Sequence, residues 1–229
     1  MDILNSLILF NMKLKAILII VCTPFLSLAQ GSDLGNWFIY FGNKKINDKW
    51  NLHHEIQYRN YNAIGDLEQL LLRTGVGFNL TPNNNNLLLG YGFIQSENYL
   101  KDQSKVSLSE HRIYQQFISK QSIARVLIQH RYRFEQRWVE NQSMQLRFRY
   151  FLAVNIPLNR DQMIEKTYYA SLYNEIFLNT DELPFDRNRL YGGVGYKLNK
   201  QLKFEFGYMN QFFSSASRDQ VNVIAAYNF

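Results

Sequence analysis

The sequence is short of cysteine and of charge, and each shortage excludes a class of protein. A single cysteine, Cys22, excludes a disulfide-stabilised scaffold and a zinc site built from cysteines. Charged residues make up only 19% of the 229 residues, whereas aromatic residues reach 15%. A disordered chain is rich in charge and poor in aromatic residues, and a coiled coil is rich in Ala, Glu, Lys and Leu. The remaining class is a β-rich protein with room for one barrel or sandwich domain, or two small ones.

The first 29 residues have the order of a secretory signal peptide. Lys13 and Lys15 precede an apolar run over 16–28, and small residues follow at positions that a signal peptidase reads. We therefore predict cleavage after Ala29 and a mature domain over 30–229. Met12 is an alternative start, because residues 1–11 add nothing that a signal needs.

Other interpretations of this segment are weaker. Pro24 interrupts the apolar run, which is also short for the roughly 20 residues of a transmembrane helix. Val21 precedes Cys22, whereas lipoprotein sites carry Gly or Ala there. Removal of residues 1–29 takes two lysines and one aspartate from 25 basic and 19 acidic residues, which leaves a net charge of +5. Export disfavours nucleic acid as the partner of that charge.

Polar and apolar residues alternate with a period of two through the mature chain. From Val126 to Trp138, one face is largely apolar and aromatic, while the other carries Arg131, Arg133, Glu135 and Arg137. Successive side chains of a strand point to opposite faces, whereas a helix would spread these charges around its circumference. The pattern predicts a long strand.

The same reasoning predicts eleven strands and no helix after residue 29. Turn-forming residues separate the strands, and Pro82, Pro157 and Pro184 are placed between them because proline cannot donate to a sheet. The predicted strands are 36–43, 50–60, 68–80, 87–96, 109–119, 124–138, 143–156, 168–179, 189–198, 202–212 and 219–229.

Three features favour a membrane barrel over a soluble one. Several strands reach or exceed the roughly 9–11 residues that cross a bilayer when tilted. A soluble barrel would have to bury the charged face, whereas a membrane barrel exposes the apolar face to lipid. The last strand ends in Tyr227 and Phe229 on one face, which resembles the signal read by the outer-membrane barrel assembly machinery. We predict an all-β, antiparallel up-and-down transmembrane β-barrel in the outer membrane of a diderm bacterium.

The number and direction of the strands are in conflict with this prediction. Bacterial single-chain barrels have even strand numbers, so the expectation is ten to twelve strands. Short turns are expected in the periplasm and longer loops outside. The external loops are then 61–67, 97–108, 139–142, 180–188 and 213–218. The first strand would then run inward from the outside, although the mature chain enters from the periplasm.

Five segments of the chain form an ordered set: His111 to Gln116, His130 to Arg137, Arg147 to Tyr150, Asn174 to Asn179 and Asn188 to Tyr191. In this order they resemble the domain-of-unknown-function family 2490, a family of outer-membrane β-barrels. The resemblance extends over 34–229 and implies a fold and a location, but no activity, substrate or catalytic residue.

The predicted inner face is rich in arginine and glutamate. One interpretation is a ladder of ion pairs that fills a narrow barrel, since buried charge persists only when paired. The other is a site for a small anionic ligand, since unpaired guanidinium groups bind phosphate or carboxylate. A barrel of this size is too narrow for free diffusion of sugars. The predicted lumen residues are Arg59, Arg73, Glu110, Arg112, Arg131, Arg133, Glu135, Arg137, Arg147, Arg149, Glu175 and Arg189, together with Glu55.

The alternative function is an outer-membrane enzyme that modifies lipid or lipopolysaccharide. Ser109 and His111 share a face near an external loop, but Glu110 lies off that face and no third member is evident. His53 and His54 are adjacent on a strand and therefore point apart, which excludes them as a metal pair. We predict no catalytic residue, metal or cofactor, and membrane lipids and the assembly machinery as partners.

Overall fold

A computed structural model describes residues 34–229 except 83, 181 and 182, and this part of the chain is all β. The predicted signal peptide lies outside the described residues. Within them there is no helix of the length and apolarity that crossing a membrane requires. The strands are β1 (Gly35–Lys45), β2 (Trp50–Asn60), β3 (Leu67–Asn79), β4 (Asn85–Tyr99), β5 (Lys105–Ile123), β6 (Val126–Val139), β7 (Gln145–Pro157), β8 (Thr167–Asn179), β9 (Phe185–Lys197), β10 (Leu202–Phe212) and β11 (Ser217–Asn228).

The eleven strands form a closed barrel, which confirms the predicted architecture. Each strand pairs antiparallel with the next along the chain, and β1 closes the barrel by pairing with β11. This last pair is parallel, with Gly35 opposite Gln220 and Asn43 opposite Asn228. A fully antiparallel barrel was therefore the wrong expectation. When strand directions alternate, an odd number leaves the first and last strands pointing the same way, so closure requires one parallel pair.

The strands extend further than predicted at one end of the barrel. β4 continues to Tyr99 and β5 begins at Lys105, so the predicted loop 97–108 shrinks to 100–104. Side-chain hydrogen bonds link the two extended strands: Ser107 Oγ donates to Glu97 Oε1 at 2.7 Å and Ser109 Oγ to Gln95 Oε1 at 3.0 Å. Pro157 is also the last residue of β7 rather than part of a turn. A strand end tolerates proline because the ladder stops there.

The two faces of the wall have opposite polarity. Large apolar side chains point outward at mid-strand, including Leu89, Leu190, Val194 and Phe206, which is 64% exposed. Polar and charged side chains point inward and are buried. We call the end with the connections after β2, β4, β6, β8 and β10 the loop end, and the opposite end the turn end.

Glycines in the wall make room for tyrosine rings in the lumen. A Cβ at Gly90 would overlap the ring of Tyr114, and one at Gly195 would overlap the ring of Tyr169. Both tyrosines are fully buried. The sequence favours close packing or curvature of the barrel wall as the role of these glycines, and here they accept close packing of side chains from the neighbouring strand.

Candidate anion-binding lumen

The structure places all thirteen charged residues of the predicted lumen on the inner face. Eleven of them are buried. Arg131 and Arg137 are nearly so, with 15% and 14% of their side chains exposed. Alternation along each strand brings these residues inward, and the register between strands decides which of them meet.

Glu135 is the centre of the ion-pair network at mid-height. Its Oε2 accepts hydrogen bonds from Arg147 Nη2 at 2.6 Å and Nε at 3.0 Å, and its Oε1 accepts from Arg149 Nη1 at 2.7 Å. Arg133 Nη1 lies 3.6 Å from the same Oε1. Glu135 is 0% exposed. A carboxylate this deeply buried requires such compensation, because its hydration has been lost entirely.

Two further glutamates each hold two arginines. Glu110 accepts from Arg112 Nε and from Arg137 Nε, both at 2.6 Å. Glu175 Oε1 accepts from Arg131 Nη2 and Arg149 Nη2, both at 2.7 Å. These bonds are charge-assisted, and each arginine reaches across from its own or a nearby strand. The ladder of ion pairs predicted from the sequence is therefore present.

Glu55 joins the network from β2. Arg73 Nη1 donates to Glu55 Oε1 at 2.9 Å, and both side chains are buried. At this height the inner face also carries Leu71, Ile94 and Tyr114, each 0% exposed. An open aqueous channel would leave inner-face side chains exposed, so the side chains fill the lumen at mid-height.

The loop end of the lumen contains a cavity of about 260 Å³. Nine arginines and only two glutamates, Glu68 and Glu110, contribute to its lining. The excess of arginine is local to the cavity, because the other acidic groups of the network do not line it. The lining arginines are Arg59, Arg73, Arg112, Arg137, Arg147, Arg149, Arg187, Arg189 and Arg218.

Two of these arginines are held by neutral groups instead of carboxylates. Arg59 donates from Nε to Gln57 Oε1 at 2.9 Å and from Nη1 to Gln69 Oε1 at 2.6 Å. Arg189 donates from Nε to Gln211 Oε1 at 2.9 Å, and Glu175 comes no closer than 3.8 Å to it.

Both guanidinium groups lie against the indole of Trp37. The Arg59 Cζ is 3.7 Å from the ring centroid and the Arg189 Cζ 4.8 Å, within the range of cation–π contacts. The two Cζ atoms are therefore at most 8.5 Å apart, the sum of these distances. Trp37 itself is buried.

The sequence analysis missed several members of this end. Asp186 and Arg187 were assigned to a loop, because the prediction began β9 at residue 189 and the strand begins at Phe185. Arg218 pairs with Glu68 at 2.6 Å at the rim. Trp37 was placed on the first strand, but nothing in the sequence indicated that two arginines would pack against its ring.

At the turn end the lumen holds a different acidic group, Glu205. Tyr169 Oη donates to its Oε1 at 2.9 Å, Ser171 Oγ to its Oε2 at 3.0 Å, and Lys203 Nζ lies 3.2 Å from Oε1. In the sequence, Glu205 lies between Phe204 and Phe206. If these two rings face outward, the residue between them points into the lumen.

Ser109 and three of the histidines have side-chain partners on neighbouring strands. Ser109 Oγ donates to Gln95, and His111 Nδ1 lies 2.7 Å from Tyr91 Oη. His130 Nδ1 is 2.9 Å from Tyr150 Oη, and His54 Nε2 is 3.2 Å from Tyr40 Oη. In the part of the chain that the structure describes, no three His, Cys, Asp or Glu side chains are grouped to hold a metal ion.

The fold and the lumen define a class of protein, an eleven-stranded barrel with a charged interior and an apolar exterior. The chain belongs to the family DUF2490, described as a protein of unknown function, whose model matches residues 34–222. It is 29% identical over 166 residues to an uncharacterized protein of Methylorubrum extorquens, a match that covers 69% of each chain. No solved structure is significantly similar to it.

Proposed function

We propose that the protein is an outer-membrane β-barrel with a binding role, in which side chains close the lumen and the loop-end cavity binds a small anion. The observation that carries the membrane assignment is the polarity of the wall, apolar outside and charged inside. Leu89, Val194 and Phe206 are each more than half exposed. In water this surface would cost roughly 25 cal/mol per Å² of exposed apolar area, whereas lipid removes that cost.

The strand lengths support the same proposal. The shortest strands have 11 residues and the longest, β5, has 19. About 9–11 residues cross the hydrocarbon core when tilted. Export by the predicted signal peptide would deliver the chain to the periplasm, and recognition of Tyr227 and Phe229 by the assembly machinery would insert it. Their rings pack at 4.6 Å between centroids, at the turn end of the last strand.

The filled lumen supports binding over free diffusion. Glu135, Leu71, Ile94 and Tyr114 are all 0% exposed, so side chains occupy the lumen at mid-height. The cavity lies on one side of this barrier, at the loop end, which the sequence analysis places outside the cell. Its excess of guanidinium groups favours anions. Membrane lipids are the partner of the outer face, and nucleic acid is not part of the proposal.

A charge placed on the outer face tests the membrane assignment. Phe206 lies in the middle of β10 and Phe212 at its end, and both are exposed. In a bilayer, Phe206→Arg should destabilise the barrel by about 2–4 kcal/mol and Phe212→Arg by about 0–1 kcal/mol, because the cost depends on depth. Denaturant midpoints of the two variants, followed by heat-modifiable gel migration in lipid vesicles, measure this difference. Equal effects at the two positions, or extraction of the protein without detergent, would contradict the proposal.

A further inference from the structure

We propose that Arg59 and Arg189 bind the phosphate group of a small solute in the loop-end cavity. This inference names the ligand class of the proposed anion-binding role and rests on it. The site is built from three strands: Arg59 from β2, Arg189 from β9 and Trp37 from β1. It is therefore available only in the closed barrel.

The charge of the network favours an anionic ligand. Eleven arginines lie at mid-height and at the loop end, the nine of the cavity together with Arg131 and Arg133. They face six carboxylates, those of Glu55, Glu68, Glu110, Glu135, Glu175 and Asp186. The excess is five positive charges. Buried charge is costly unless it is paired, so an excess of this size favours uptake of a multiply charged anion.

Arg59 and Arg189 are the arginines of the cavity lining that donate no hydrogen bond to a carboxylate. By contrast, Arg149 donates from three nitrogens to Glu135 and Glu175. Arg59 and Arg189 instead donate to glutamine oxygens, which neutralise no charge. Glutamine side chains therefore hold the two guanidinium groups in place while leaving their charge for a ligand.

Unpartnered donors outnumber unpartnered acceptors among the described residues that line the cavity. Trp37 Nε1, Arg73 Nε and Arg218 Nη2 are buried donors without a partner, whereas Glu68 Oε2 is the one such acceptor. Gln57 Oε1 already accepts two bonds from Arg59. Unsatisfied buried donors are costly, and a ligand rich in acceptor oxygens that reordered this wall would recover that energy.

Phosphate fits this arrangement better than a carboxylate does. A carboxylate presents two oxygens in one plane, whereas a phosphate group presents three or four oxygens to groups that approach from different sides. Arg59 and Arg189 approach from different strands, with centres no more than 8.5 Å apart. A cavity of about 260 Å³ has room for phosphate with a short polar substituent.

The test is a calorimetric titration of the full chain, purified in a nonionic detergent, with inorganic phosphate at constant ionic strength. We expect Arg59→Gln/Arg189→Gln to weaken phosphate binding at least tenfold. The control is Arg125→Gln, the same kind of substitution at one exposed position in the β5–β6 turn, and it should change the affinity less than twofold. Heat-modifiable migration shows that each variant is folded. If the double variant fails to fold, Arg189→Lys retains the charge, loses the fork and should still weaken binding.

Further titrations identify the source of the phosphate group. Glycerol phosphate binding as well as inorganic phosphate supports a soluble ligand, whereas binding only to micelles that contain phosphatidic acid supports a lipid headgroup. Equal or tighter binding of succinate would overturn the assignment to phosphate. Equal phosphate affinity of the wild type and the folded double variant would overturn the site. Neither result affects the membrane assignment, which depends on Phe206→Arg and on extraction.

Discussion

The two ends of the lumen are filled by different kinds of side chain. At the turn end, the rings of Tyr169 and Tyr191 occupy space left by glycines, and hydroxyl groups satisfy Glu205. At the loop end, arginines surround a cavity and outnumber their carboxylates. Tyrosine fills volume without adding charge, whereas arginine adds charge that has to be balanced. Under the proposed function, the turn end provides stability and the loop end provides the binding site.

The largest expected effect is at the network between the two ends. Glu135→Gln removes the only carboxylate that Arg147 Nε and Nη2 contact and leaves uncompensated buried charge. We expect a loss of about 3–5 kcal/mol in unfolding free energy, measured by urea titration in vesicles. Glu205→Gln is the matched control at the turn end. It should cost only about 1–2 kcal/mol, since two of its partners are neutral hydroxyl groups. Equal losses would contradict the comparison.

The next effect tests the packing of the turn end. Gly195→Ala would place a Cβ within the ring of Tyr169, so we expect a loss of about 1–3 kcal/mol from overpacking. Gly192→Ala, three residues earlier on β9, would meet only Leu172 Cδ2 at 3.5 Å, an ordinary contact. Thermal unfolding of both variants should separate them. A Gly195→Ala variant as stable as Gly192→Ala would show that the ring is not confined.

At the loop end, a substitution should stabilise the barrel instead of destabilising it. Arg59→Met removes a buried positive charge that has no carboxylate partner, so we expect the barrel to gain about 0.5–2 kcal/mol in the absence of phosphate. The gain should disappear when phosphate is present, because the ligand stabilises only the wild type. Urea midpoints of both proteins, measured with and without phosphate, give the gain in stability and its loss on phosphate binding. A loss of stability without phosphate would mean that Arg59 is structural.

The smallest change in stability is expected at Asp66, in the connection between β2 and β3 at the loop end. Asp66 accepts hydrogen bonds from Lys105 and from Tyr99, the latter at 3.0 Å, and the bond from Lys105 lowers the pKa of the Asp66 carboxyl. A lowered folded-state pKa contributes stability above the unfolded pKa, and that contribution is lost as the pH falls through the folded value. Asp66→Asn should cost less than about 1 kcal/mol at pH 7, because this pair is partly exposed. The difference should vanish at low pH.

The sequence predicted the faces of the barrel well and the partners within it poorly. Alternation in β6 placed Arg131, Arg133 and Glu135 on one face, because a period of two survives in any register. Which arginine meets which glutamate depends on strand register and side-chain reach, which spacing does not contain. Trp37 illustrates the limit: Arg59 lies directly opposite it on β2, whereas Arg189 comes from β9 and reaches it only because the parallel pair closes the barrel.

Conductance of the wild-type protein across a planar bilayer tests the central claim most directly. The account predicts that protein shown to be inserted and folded gives no steady current, because the ion-paired network around Glu135 separates the loop-end cavity from the turn end. A stable, anion-selective current through the wild type would contradict it, since the lumen would then be an open channel and the arginines its selectivity lining.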